Sequence, residues 1–208
     1  MGHVVLIGDS ILDNASYVPG GSPVVDQLRS RLRDWRVTLL ARDGAVSNGV
    51  HRQLLQMPTD ATHLVISASG NDALQCSPIL NSPVPDPRDM LAELVSAQND
   101  FRDDYREMLR AIRATRLPAV ACTIYDAIPG LHPIERMALS IFNDTILREL
   151  FAVNMPVLDL RFVCNESRDY SSLSPIEPSE IGGLKIVRRL QKILLDHDFS
   201  RPETVVYV

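Results

Sequence analysis

Cysteine is scarce in this chain of 208 residues, which contains only Cys76, Cys122 and Cys164. The three residues lie far apart, their number is odd, and none belongs to a CxxC or Cys/His spacing that binds zinc. This pattern indicates reduced thiols and excludes a disulfide-stabilised scaffold.

Long apolar runs are also missing from the sequence. No stretch approaches the roughly 18 residues that a membrane-spanning helix requires. The N-terminus passes directly into a strand-like segment, without the basic region and small-residue cleavage site of a secretory leader. Together with the reduced cysteines, these features predict a cytoplasmic protein without a membrane span.

Basic clusters are a third absence, since Lys and Arg are scattered and the net charge is −5. The sequence therefore has no electrostatic footprint for a polyanion, and we expect no nucleic-acid partner. Asp9, Asp72 and Asp126 are separated carboxylates without histidine neighbours, a pattern more typical of helix caps and turns than of a metal site. We expect neither a metal nor a cofactor.

What the sequence does contain is an alternation of short β-branched runs with longer segments of helical period. This alternation is typical of repeated βαβ units and predicts an α/β fold with helices on both faces of a parallel sheet. The length and the 45% hydrophobic content fit one domain over residues 1–208. Five strands are predicted, at Val4–Ile7, Val37–Ala41, His63–Ala68, Ala119–Ile124 and Val157–Leu160.

The predicted helices lie between and after these strands, and two further segments are assigned by composition. The helical segments are Pro23–Trp35, Asn48–Leu55, Asp89–Arg116, Pro133–Ala152 and Pro178–Leu195. The proline-rich stretch Gln75–Pro87 predicts a surface loop. The tail Pro202–Val208 is interpreted as an edge strand.

Three short motifs follow the first three predicted strands. They are Gly8-Asp9-Ser10, Gly44, and Gly70-Asn71-Asp72. Because ligands bind at the carboxyl ends of parallel strands, all three motifs fall on the functional edge of the sheet. An acyl-transfer site needs a nucleophile and donors for the developing oxyanion, which the Ser10 hydroxyl, the Ser10 and Gly44 amides and the Asn71 side chain would supply. Each motif taken alone is also an ordinary turn sequence.

In order and position these motifs resemble the blocks of the GDSL, or SGNH, hydrolase family. The resemblance implies a three-layer, flavodoxin-like fold with a five-stranded parallel sheet in the order 2-1-3-4-5. It also implies that Ser10 is the nucleophile, that the Ser10 amide, Gly44 and Asn71 form the oxyanion hole, and that Asp9 belongs to the same substrate-binding block.

The last block of the family is changed in this chain. Where the family has Asp-x-x-His before its final helix, this sequence has Ser174-Pro175-Ile176-Glu177. Glu177 is then the candidate base, although an ordinary Glu is about two pKa units less basic than imidazole, a deficit of roughly 3 kcal/mol that burial would reduce. The alternative is that Glu177 accepts amides at the start of the last helix or pairs with an arginine.

His132 is a second candidate for the base, because it follows the fourth strand and so falls on the same edge as Ser10. Its alternative interpretation is a solvent-exposed residue before the helix that starts at Pro133. The other four histidines do not lie on this edge.

The favoured function is therefore a serine hydrolase that cleaves ester or acyl bonds of a small substrate through Ser10, with Glu177 or His132 as base. The first alternative is a non-catalytic protein that binds an acyl or carbohydrate-like ligand, or a protein partner, in the same site. The second is an enzyme of altered chemistry, in which Glu177 and Asp9 handle protons for a different substrate.

Overall fold

A computed structural model of the chain describes residues 1–81 and 86–208. Its centre is a parallel sheet of six strands in the order β2-β1-β3-β4-β5-β6. The strands are β1 (His3–Gly8), β2 (Arg36–Leu39), β3 (His63–Ser67), β4 (Ala119–Cys122), β5 (Val157–Leu158) and β6 (Val206–Tyr207). The predicted order of the first five strands is confirmed, and the C-terminal tail, interpreted as an edge strand, supplies β6, which pairs in parallel with β5 and makes the sheet six-stranded.

Helices cover both faces of the sheet, as predicted. They are α1 (Val24–Arg31), α2 (Val50–Leu54), α3 (Gly70–Gln75), α4 (Pro87–Ala114), α5 (Pro133–Ala152), α6 (Leu160–Val163) and α7 (Glu180–Asp196). Helices α1 and α7 pack together on one face, and α4 packs with α5 and α2 on the other. The bounds predicted for α5 are those observed, whereas α1 ends four residues before the predicted Trp35.

Two apolar cores result from the alternation of side chains along each strand. In β1, Val4 and Leu6 belong to the core under α1 and α7, whereas Val5 and Ile7 belong to the core under α4 and α5. All six residues of β1 are buried. A strand that is buried on both faces reads as a continuous apolar run, and this is why the run from Val4 to Ile7 predicts a central strand.

The fifth strand is shorter than predicted. It ends at Leu158, and Asp159 then starts the short helix α6 by accepting a hydrogen bond from the Arg161 amide. The Asp159 carboxylate also pairs with the Arg161 guanidinium at 2.6 Å. Asp is a strong N-cap, and its local bonds favour a helix start over continued strand pairing.

The predicted loop Gln75–Pro87 is only partly correct. Gln75 closes α3, residues Ser77–Asn81 form a 3₁₀ helix, and Pro87 is the first residue of α4. Proline suits the first turn of a helix, where its missing N–H has no partner to lose. The remaining part of this prediction, residues 82–85, lies outside the described residues. In the described part of the chain, no helix has the length and apolar content needed to cross a membrane.

Candidate active site

The turn after β1 is fixed by a glycine and a buried glutamine. Gly8 has a φ of +124°, and a side chain there would collide with the Ser67 carbonyl oxygen. The Gly8 amide donates to Gln53 Oε1 at 2.7 Å, and Gln53 Nε2 donates to the Gly8 carbonyl at 2.8 Å. This geometry requires glycine and directs Asp9 and Ser10 to the carboxyl edge of the sheet. Gln53 was not identified from the sequence, because it lies in a short helix with no recognisable motif.

Ser10 and Glu177 are brought together at this edge. The Ser10 hydroxyl donates to Glu177 Oε1 at 2.9 Å. Ser10 is 5% exposed and Glu177 4% exposed. The second carboxylate oxygen, Glu177 Oε2, is buried and has no hydrogen-bond partner among the described residues. The two side chains thus have the separation that proton transfer from a nucleophile to a base requires.

Burial raises the pKa of Glu177 from its ordinary 4.5 to about 7. Desolvation is the main cause, and the negative charge of Asp9 adds to it, while the hydrogen bond from Ser10 acts in the opposite direction. Desolvation raises the pKa of a carboxyl group because a low-dielectric environment disfavours the charged form. Glu177 is therefore about as basic as a free imidazole, whose pKa is about 6.5.

Asp9 is the second buried carboxyl group at the site and is 1% exposed. It accepts a hydrogen bond from the Ile11 amide at 3.1 Å, and the Ser67 hydroxyl donates to it at 3.4 Å. Burial raises the pKa of Asp9 from 3.8 to about 7. Asp9 thus shapes the turn that carries Ser10 and influences the charge on Glu177.

Of the two further residues predicted for the oxyanion hole, Asn71 lines the cavity and Gly44 does not. Asn71 borders the cavity at Ser10, and its Nδ2 donates one hydrogen to the Ala45 carbonyl at 2.9 Å. A side-chain amide carries two N–H donors, so one remains for a ligand. Gly44 has a φ of +78° in the adjacent exposed turn and is not part of the cavity wall.

The loop that contains Gly44 is tied to the same helix as Asn71. The Ser47 amide donates to the Asp72 carboxylate at 3.0 Å, and the Ser47 hydroxyl donates to it at 3.3 Å. Asp43 is held by Asp13, which accepts from the Asp43 amide at 3.1 Å. The loop after β2 is thereby fixed against the start of α3.

His132 is not brought to Ser10. It is exposed and caps α5, where its Nδ1 accepts from the Ile134 amide at 3.3 Å, and Glu135 accepts from the His132 amide at 2.8 Å. Its neighbours Leu131 and Glu135 line the cavity at Ser10, but His132 does not. The structure thus matches the alternative interpretation of an exposed residue before Pro133, and it gives no support for His132 as the base.

The alternative interpretations of Glu177 differ from what the structure shows. The start of α7 is capped by Ser179, whose hydroxyl oxygen accepts from the Gly182 amide at 3.2 Å. Among the described residues, no arginine or lysine pairs with Glu177. Ser174, at the position of the family aspartate, is half-buried and contacts Glu177 through its backbone, since its carbonyl accepts from the Glu177 amide at 3.0 Å.

Two residues missed at the sequence level hold the backbone on either side of Glu177. The Tyr125 hydroxyl donates to the Ile176 carbonyl at 2.6 Å. Asn14 Nδ2 donates to the Pro178 carbonyl at 3.1 Å, and Asn14 Oδ1 accepts from the Val24 amide at 2.9 Å. Both side chains are buried. For Asn14 the only sequence signal is an Asn between two predicted elements, which is too common to be specific.

An apolar cavity of about 150 Å³ opens from Ser10 and Glu177 toward α3, α4 and α5. Asp9, Asn71 and Glu177 form part of its wall, and Ser77 and Glu135 are further polar residues that line it. The remainder is mostly aliphatic and aromatic, and includes Leu74, Leu80, Leu94, Ile124, Ile128, Leu131, Ala138, Leu139, Phe142 and Ile176. A mostly apolar cavity with a few polar groups in its wall is typical of a small-molecule site.

Several solved structures are similar to this chain. A lipase from a goat rumen metagenome superposes with a TM-score of 0.73 at 19% identity, with 92% of this chain and 96% of that chain covered. The extracellular lipase of Streptomyces rimosus has a TM-score of 0.64 at 16% identity, with 92% and 100% covered. Phospholipase A1 of Streptomyces albidoflavus has a TM-score of 0.67 at 15% identity, with 91% and 99% covered.

At these identities the structural similarity establishes the fold, and the family follows from the sequence match. No curated protein matches the chain. The family model described as GDSL-like lipase/acylhydrolase matches residues 6–182, which include Ser10, Asn71 and Glu177. With most of its length matched, this chain belongs to the GDSL-like lipase/acylhydrolase family.

Proposed function

We propose that this protein hydrolyses esters of short to medium acyl chains, with Ser10 as nucleophile and Glu177 as general base. The observation that carries the proposal is the 2.9 Å hydrogen bond from the Ser10 hydroxyl to Glu177 Oε1. The raised pKa of Glu177, about 7, supports it, because a base works best when its pKa lies near the operating pH.

The reaction proceeds in two steps. Ser10 Oγ attacks the ester carbonyl while its proton moves to Glu177 Oε1, and the Ser10 amide and Asn71 donate to the oxyanion. Glu177 then returns the proton to the departing alcohol, which leaves an acyl group on Ser10. In the second step Glu177 takes a proton from water, the resulting hydroxide attacks the acyl group, and Ser10 recovers its proton from Glu177.

The cavity defines the substrate class in this proposal. An apolar cavity of about 150 Å³ holds a molecule such as benzene, so the volume at Ser10 suits an acyl chain of about six carbons. Each buried methylene contributes about 0.8 kcal/mol, or about fourfold in kcat/KM. We expect the activity to rise from acetyl to hexanoyl esters and to level off for longer chains.

The test combines a covalent probe with ester hydrolysis. A fluorophosphonate should label the wild-type protein at Ser10, and p-nitrophenyl hexanoate should be hydrolysed. Ser10→Ala should abolish both signals. The matched control is Ser30→Ala, since Ser30 is an exposed serine of α1 outside the cavity wall whose hydroxyl donates to the Asp26 carbonyl at 2.9 Å, and it should leave both signals within twofold. A wild-type protein that stays unlabelled between pH 6 and pH 9, under conditions that label a known serine hydrolase, would refute the catalytic proposal.

A non-catalytic binding function is the second candidate, and a specific observation favours it. The only groups that pair with the Ser10 side chain in the described residues belong to Glu177, and no imidazole is present there. In this alternative the apolar cavity holds an acyl ligand without cleaving it. The double substitution Ser174→Asp with Glu177→His should then create esterase activity in a protein that has none, whereas pre-existing activity that Ser10→Ala abolishes would exclude this alternative.

A further inference from the structure

The backbone around Glu177 is tethered on both sides by buried side chains from distant parts of the sequence. Tyr125, just after β4, donates from its hydroxyl to the Ile176 carbonyl at 2.6 Å. Asn14, in the turn that follows Ser10, donates from Nδ2 to the Pro178 carbonyl at 3.1 Å. The accepting residues are those directly before and after Glu177 in the chain.

The two tethers are themselves rigid. The Tyr125 ring is 2% exposed and packs edge-on against Tyr170 with ring centroids 5.1 Å apart. Asn14 is fully buried, and its other amide atom accepts from the Val24 amide at the start of α1. Neither side chain can change rotamer without leaving a buried hydrogen-bonding group unpaired, which makes such a change unfavourable.

The Glu177 carboxylate itself has few hydrogen-bond partners that could fix its orientation. Its Oε1 accepts from Ser10, while its Oε2 has no partner in the part of the chain that the structure describes. The hydrogen bond between Ser174 and Glu177 joins backbone atoms, as does the one that the Ser171 amide donates to the Glu177 carbonyl at 2.8 Å. The orientation of the base therefore depends on the placement of its Cα, and a displacement of about 1 Å can cost a hundredfold in rate.

We infer that Tyr125 and Asn14 are positioning residues that hold Glu177 in hydrogen-bonding distance of the Ser10 hydroxyl. The inference rests on the proposed function of Glu177 as the base. Tyr125 and Asn14 act through the backbone of residues 176–178 and take no proton themselves. They orient Glu177 in a protein that has Ser174 at the position of the family aspartate.

Tyr125→Phe tests the inference, because it removes the hydroxyl and keeps the ring in the cavity wall. We expect kcat for p-nitrophenyl hexanoate to fall 10- to 100-fold while KM stays within twofold. The matched control is Tyr170→Phe: the hydroxyl of this buried tyrosine, whose ring packs on Tyr125, donates to the Cys164 carbonyl at 2.8 Å and not to residues 176–178. The backbone bridge between Tyr170 and Pro178 does not involve this hydroxyl and is kept in the variant. Tyr170→Phe should lose about as much thermal stability as Tyr125→Phe and keep kcat within twofold of wild type.

A double-mutant cycle separates a positioning role from a general structural one. If Tyr125 acts through Glu177, then Tyr125→Phe should change the residual rate by less than twofold in a Glu177→Gln background. Asn14→Asp is the second variant, since it keeps the acceptor for Val24 and loses the donor to Pro178. It should lower kcat at least tenfold in a folded protein.

Two results would overturn the inference while leaving the proposed function intact. The first is equal loss of kcat in Tyr125→Phe and Tyr170→Phe. The second is an undiminished effect of Tyr125→Phe when Glu177 is already Gln. A wild-type protein with no esterase activity and no probe labelling would instead refute the proposed function itself, so the two failures are distinguishable.

Discussion

Replacement of Glu177 by Gln is the most direct perturbation of the proposed chemistry. Gln has the shape of Glu, and its carbonyl oxygen can still accept the hydrogen bond that Ser10 donates at 2.9 Å. It cannot take up the Ser10 proton. Any loss of rate in a folded Glu177→Gln protein therefore reports proton transfer and not the geometry of the pocket.

The expected loss follows from what a general base contributes. Positioned acid–base groups accelerate reactions by about 10²–10⁴-fold, which corresponds to about 3–5 kcal/mol of transition-state stabilisation. We expect kcat of Glu177→Gln to fall by this factor while KM changes by less than threefold, because the cavity wall keeps its shape. The residual activity should come from binding and from the oxyanion donors.

The pH profile supplies an independent check on the same residue. In the proposed mechanism the ionised form of Glu177 is the active one, and burial raises its pKa to about 7. Activity should therefore be lost as the pH falls through 7, and a group with that pKa retains only about 3% of its ionised form at pH 5.5. A carboxyl with its ordinary pKa would remain about 90% ionised at the same pH.

The assay is hydrolysis of p-nitrophenyl hexanoate between pH 5 and pH 9, with circular dichroism to confirm folding. The control is Glu180→Gln, three residues further on, which removes an exposed carboxylate that accepts from the Ser22 amide at 2.9 Å. This control should keep both kcat and the pH profile. A Glu177→Gln protein that retains kcat within threefold, or a wild-type profile with its midpoint near pH 4.5, would contradict the role of Glu177 as the base.

Three further predictions concern residues near Ser10 and Glu177. Burial raises the pKa of Asp9 from 3.8 to about 7, so this carboxyl group lowers the stability of the folded protein as the pH rises from 4 to 7. The difference in free energy of unfolding between Asp9→Asn and wild type, measured in urea, should shift in favour of the variant by up to about 4 kcal/mol as the pH rises from 4 to 8. A difference that does not depend on pH would contradict this. Asn71→Asp removes the oxyanion donor and should lower kcat about 10²–10³-fold, whereas a change of less than threefold would argue against that role. Ala138→Phe fills the cavity and should reduce the kcat/KM ratio of hexanoyl to acetyl esters at least tenfold; an unchanged ratio would show that the acyl chain binds elsewhere.

Much of the fold was predictable because it depends on local patterns. The apolar run Val4–Ile7 indicates a strand buried on both faces, and the segment Pro133–Ala152 has the period and the N-terminal proline of a helix whose bounds the structure confirms. The start of α6 was missed, because the capping bonds of Asp159 override a short apolar run that also reads as a strand.

The sequence by itself determined that Gly8, Asp9, Ser10 and Asn71 lie on one edge of the sheet, since all of them follow strands that run in parallel. It also gave Glu177 and His132 as the two candidates for the base. It could not choose between them, because the choice depends on contacts between residues that lie far apart in the chain.

Only the tertiary structure shows which of the two candidates lies beside Ser10. It places Glu177 Oε1 2.9 Å from a hydroxyl 167 positions away in sequence, and it uses His132 to cap α5. It also raises the pKa of Glu177 to about 7. Burial in a packed interior is a property of the whole fold, and it removes most of the deficit in basicity that a glutamate has relative to a histidine when the two are compared as free side chains.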